Sequence, residues 1–158
     1  QISNANALDA TEVKSEQKPI GGLLWQLAAS KAPALAGAAK SALLVRVLAS
    51  HPLWRTSNWY AIAKATVTLQ APPGTERKLI WCVFTAHYGE RKNDATNEKK
   101  FLAEWAVVES DQEGYIDKEK NTLSLGCDIE ITGVVGVRAP LRALFNEGYS
   151  GFSDVCLV

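Results

Sequence analysis

Residues 20–50 read IGGLLWQLAASKAPALAGAAKSALLVRVLAS, and the fold turns on whether this stretch is helix or strand. Only Lys31, Lys40 and Arg46 are charged, and alanine, the strongest helix former, dominates. Gly21-Gly22 then opens a short helix, Leu23 to Ala32. Pro33 suits the first turn of a second helix, where its missing N–H costs nothing. That helix runs to about Ser50, and His51-Pro52 stops it. Leu35, Ala39, Ala42, Val45 or Arg46, and Ala49 follow helical spacing, giving a face of small residues able to lie close against a sheet. A membrane span needs about 20 uninterrupted apolar residues. Lys31, Pro33, Gly37 and Lys40 break the run, so the reading is buried-face helix and no transmembrane span.

Beyond this stretch the pattern turns to strands. From Asn58 to Ala71, Trp59, Ala61, Ala63, Ala65, Val67 and Leu69 alternate with a more polar face. Pro72-Pro73-Gly74 is a turn signal, and Arg77 to Tyr88 returns as the second strand of an antiparallel hairpin. That strand is apolar on both faces, which predicts a central position. Gly89 to Lys100 reads as a charged loop, and Phe101–Glu109 fits helix and strand equally. Thr122 to Thr132 is the clearest strand, with Leu123, Leu125, Cys127, Ile129 and Ile131 inward. Gly133 and Gly136 mark a bend or bulge; a phosphate cradle there lacks the Lys-Ser/Thr it needs. A short helix over Ala139 to Asn146 and a last strand over Tyr149 to Val158 close the chain. The order predicts an α+β fold: an antiparallel sheet, curved in the version we favour, packed against an Ala-rich N-terminal helix in a single domain.

The 158 residues suit one domain, assigned to 20–158. Residues 1–19 are polar, end at a proline, and read as a flexible arm. The chain contains no Met, which points to a cleaved leader or a trimmed start. With the polar arm, that favours an exported or periplasmic protein, cytoplasmic being the alternative. Lys+Arg and Asp+Glu balance at 17 each, so the strong basic excess of a nucleic-acid binder is missing. The balance hides an asymmetry: residues 14–100 carry a net charge of +8 and residues 101–158 one of −6. Either the two halves neutralise each other on folding, or they make faces that steer a partner.

Candidate chemistry is sparse. Glu109, Asp111, Glu113 and Asp117 fall on ligand positions of an EF-hand type calcium loop, with Gly114 at the turn. Lys120 stands where the closing bidentate Glu is required, so a solvated acidic turn is the better reading and no metal is assigned. Cys82 and His87 are an odd number of positions apart, hence on opposite faces of one strand and unable to form a dyad. Cys82 and Cys127 read as core thiols or a buried disulfide; the third cysteine, Cys156, leaves the pairing open. His51 is assigned to a helix exit, where a cation suits the dipole. Trp54, Arg55 and Tyr60 cluster in the manner of a binding hot spot, weighed against a core role for part of the cluster.

Two functions from different classes follow. The first is a non-enzymatic binding protein, exported, of the inhibitor, immunity or assembly-component type, with another protein as partner and no cofactor. The second is a small enzyme or small-molecule carrier whose pocket, inside a cone-shaped α+β fold, draws on His87, Asp128 and Glu130.

Overall fold

The structure is a computed structural model that describes residues 1–33, 40–51, 59–89 and 98–136. Of these, 59% are strand and 6% helical, so the α+β expectation is overturned. No Ala-rich helix is present among the described residues. Leu23–Ala32 is instead strand β4, and Ala42–Ser50 is strand β5. They pair antiparallel along their whole length, from Leu24 opposite Ser50 to Ala32 opposite Ala42. The strand periodicity was hidden because outward positions such as Leu24, Leu44 and Leu48 are also apolar. Leu23, Trp25 and Ala29 on β4, and Leu43, Val45 and Val47 on β5, are all buried. Burial of that inward row outweighs the few tenths of a kcal/mol per residue by which alanine prefers helix, about 1.5–3 kcal/mol for each large side chain.

Three short strands precede this pair: β1 (Ile2–Ser3), β2 (Val13–Lys14) and β3 (Lys18–Ile20). β2 and β3 both pair with β4. Residues 1–19, expected as a free arm, thus carry ladder pairs, and Ile2, Ala5 and Leu8 are core residues. Arg46 donates to Glu12 at 2.5 Å, adding a half-buried ion pair between this segment and β5.

The hairpin is present as β6 (Tyr60–Gln70) and β7 (Ile80–Gly89), in register from Tyr60 opposite Gly89 to Leu69 opposite Ile80. In the turn, the Thr75 N–H donates to the Pro72 carbonyl, and Gly74 takes a φ of 75°, where a side chain would be strained. The ambiguous segment is both things in sequence: strand β8 (Lys100–Glu104), then a four-residue helix α1 (Trp105–Val108). Strand β9 (Ile116–Asp117) leads into β10 (Thr122–Val135), which pairs with β6 along most of its length. A bulge between Ile131 and Gly133 shifts the register there.

Two antiparallel sheets result. One runs β1-β10-β6-β7, with β9 also on β10; the other runs β2-β4-β5-β8, with β3 also on β4. Their inner faces share one core. Ala61, Ala63 and Ala65 of β6 are fully enclosed, and such small side chains bring the opposing sheet close. Among the described residues β7 lies at the end of its sheet, not in the central position expected of the second hairpin strand. The segments expected as a charged loop (90–97 of it), as the C-terminal helix and as the last strand lie outside the described residues.

Candidate functional site

Strand alternation sorts the residues singled out by the sequence. The odd-numbered residues of β6 go inward, so Tyr60, Ile62, Lys64, Thr66 and Thr68 go outward. On β7 the outward set is Trp81, Val83, Thr85 and His87. On β10 it includes Gly126, Asp128 and Glu130. The registers then build rows across this outer face. Gly126, Thr68 and Trp81 share one row; Asp128, Thr66 and Val83 the next; Glu130, Lys64 and Thr85 a third. Ile62 and His87 are opposite each other in a fourth row. Beyond them Tyr60 faces Val135.

Four residues named from two different sequence hypotheses therefore meet on one surface: Tyr60, His87, Asp128 and Glu130. The Tyr60 hydroxyl and His87 Nδ1 are hydrogen-bonded, and their rings are 5.7 Å apart, tilted by 47°. Asp128 and Glu130 are exposed and sit two residues apart on β10. Their outward direction removes them, with His87, from the interior between the sheets. Among the described residues they lie on the outer face of the sheet, turned away from the core between the two sheets. Trp54 and Arg55 lie outside the described residues.

The sequence reading missed the apolar members of this face. Trp81 is 56% exposed, Val83 41% and Leu79, just before β7, 63%. A signal was available: the neighbouring strands are polar on that same face, with Lys64, Thr66 and Thr68 on one and Asp128 and Glu130 on the other. A second protein layer over Trp81 and Val83 would have had to cover those polar groups too.

The acidic turn is closed by its own chain. Lys118 Nζ pairs with the Asp111 carboxylate at 3.0 Å, and Asp117 Oδ1 accepts the N–H groups of Glu119 and Lys120. Arg77 reaches the carbonyls of Gln112 and Gly114 from the other side. Among the described residues, no three His, Cys, Asp or Glu side chains gather as a metal site would require. His51 follows a strand rather than a helix, and its ring lies 6.3 Å from that of Trp59.

Cys82 and Cys127 both face Val67, one from each side of β6, and both are free thiols. Two ladder spacings of about 4.8 Å put their Cα atoms roughly 10 Å apart. A disulfide needs less than about 7 Å, so these two cannot pair with each other in the fold. Burial, helped by the nearby Asp128 carboxylate and Cys82, pushes the Cys127 thiol up to about 11. Burial also raises the Cys82 thiol. Neither is a nucleophile at neutral pH.

No helix among the described residues is long and apolar enough to cross a membrane. No protein-family model and no curated protein matches the chain.

Proposed function

We propose that this is a non-enzymatic binding domain that docks a protein partner, as an inhibitor or assembly component does, on the outer face of the β10-β6-β7 sheet. The observation that carries the reading is the side-by-side exposure of Trp81 and Val83, in rows they share with Thr68, Gly126, Thr66 and Asp128. Large apolar groups held in water gain nothing for the isolated fold, and aromatic anchors ringed by polar groups are the recurring energetic centre of protein interfaces. Asp128, Glu130, Lys64 and His87 supply a rim of mixed sign. That mixture favours a protein over the uniformly negative surface of a nucleic acid.

A photo-crosslinking amino acid placed at position 81 in the source cells tests this. A discrete adduct is expected from position 81 and not from position 26 on the opposite sheet. The captured protein should then bind Trp81→Ala at least about ten-fold more weakly than the unaltered chain, as loss of a 1.4 kcal/mol anchor would give. Equal adducts at both positions, or unchanged affinity, would remove this face as the interface.

A further inference from the structure

Among the described residues, the two sheets do not close over each other along β10. Leu125, Cys127 and Ile129 point inward but are only partly buried, unlike their neighbours on β6. Facing them across the gap are Trp25 and Leu27 of β4 and Val47 of β5. With Ile20 these side chains form the apolar part of a half-open cleft of about 480 Å³, whose remaining lining is polar. A separate smaller space of about 50 Å³, lined by Ile2 and Ala29, shares Lys14, Leu27 and Leu125 with it. The volume falls in the range of small-molecule sites, which are apolar cavities with a few polar groups at fixed places.

Two features add chemistry to the shape. The mouth is lined by residues of the β2–β3 segment: Lys14, Glu16 and Lys18. Two ammonium groups against one carboxylate leave the rim cationic. Behind the floor, Tyr88 is 3% exposed and packs edge-on against Trp25, ring centres 5.1 Å apart. Its hydroxyl is buried without a hydrogen-bond partner. Tyr88 supports the Trp25 ring from behind and does not itself line the cleft.

We propose that this cleft binds an amphipathic monocarboxylate of fatty-acid type, its alkyl chain between Trp25 and Cys127 and its carboxylate at Lys14 and Lys18. The site is separate from the outer face of the same sheet and stands whether or not a protein docks there. The chain supplies apolar surface to the exposed parts of Leu125, Cys127 and Ile129, and the head meets the cationic rim.

Decanoate is the probe, with decanol as its uncharged counterpart, titrated by calorimetry into the full chain. Saturable decanoate binding below about millimolar is expected. The bound ligand should slow alkylation of Cys127, followed by mass mapping of its peptide at pH 10, at least five-fold. The variant Lys14→Glu/Lys18→Glu, which changes two exposed side chains, should weaken decanoate at least ten-fold and leave decanol unchanged. Absence of saturation, an unchanged Cys127 alkylation rate at saturating decanoate, or equal decanoate affinity in the double variant would each overturn the proposal.

Discussion

The strand assignment of Ala42–Ser50 makes the sharpest prediction, because helix and strand place consecutive residues on different faces. In β5, Leu43, Val45 and Val47 are 0%, 1% and 1% exposed, whereas Leu44 and Leu48 point outward and are partly exposed. Truncating Val45 to alanine removes two carbon groups, worth roughly 1.6 kcal/mol of transfer free energy, and leaves a cavity. The expected cost is about 2–3 kcal/mol for Val45→Ala and for Val47→Ala. Leu43→Ala removes three groups and should cost about 3–4 kcal/mol. Leu44→Ala and Leu48→Ala should each cost under about 1 kcal/mol, because their surroundings already include water. A domain of this size has a total stability of about 5–15 kcal/mol, so each large effect is readable in a urea titration followed by far-UV circular dichroism. The pattern of cost must alternate: high at 43, low at 44, high at 45, high at 47, low at 48. In a helix, positions 43 and 45 stand about 200° apart and cannot share a buried face. A Val45→Ala or Val47→Ala as cheap as Leu48→Ala, or a Leu44→Ala as costly as Leu43→Ala, would break that alternation and refute the strand.

Two further outcomes follow from particular contacts. At Gly114 an added Cβ would collide with the Ser110 carbonyl and come within 2.9 Å of the Val108 carbonyl, both backbone atoms unable to swing aside; Gly114→Ala should cost at least about 2 kcal/mol in the same urea titration and fail the prediction if it costs nothing. The Cys127 thiol, raised by burial from 9.0 to about 11, keeps its proton in the folded chain after it has lost it in the unfolded one. Its contribution is fully present below pH 9 and is lost as pH rises to about 11, so stability should fall by about 1–2 kcal/mol across that window. Cys127→Ala should flatten part of the slope, and identical slopes in both chains would remove the thiol as the cause.

What was legible in the sequence depended on how each strand is covered. β6 and β10 have a dry face and a wet face, so their alternation appears directly: Ala61 to Leu69 and Leu123 to Ile131 run inward as expected. Cys82 and His87 also fall on opposite faces, as their odd spacing requires. β4 and β5 have apolar residues on both faces, and apolar residues on both faces erase the period of two. Alanine then tilts the local preference toward helix, although the inward row of Leu43, Val45 and Val47, two of them β-branched, was the better guide. The polar composition of residues 1–19 concealed three isolated apolar residues, Ile2, Ala5 and Leu8, that the core takes up. Composition averages over a segment, while burial selects single side chains.

The same ambiguity explains the candidate interface, and neighbouring strands resolve it. A strand apolar on both sides is covered when a second layer rests on its outer face, and exposed when none does, as for β7 among the described residues. For β7 the decision belongs to the residues beside it. Trp81 shares its row with Thr68 and Gly126; Val83 shares its row with Thr66 and Asp128; the next row is Thr85, Lys64 and Glu130. An intramolecular layer resting on Trp81 and Val83 would bury Asp128 and Glu130 within two strand spacings, at several kcal/mol for each unpaired carboxylate. A separate partner avoids that cost by ending at the rim, its contact centred on β7 and its edge left wet over β10. The lateral gradient from Trp81 and Val83 to Asp128 and Glu130 is the pattern that the proposed docking requires. It also sets where that interface stops: substitutions at Trp81 and Val83 should act on how long a complex lasts, and those at Asp128 and Glu130 on how fast it forms.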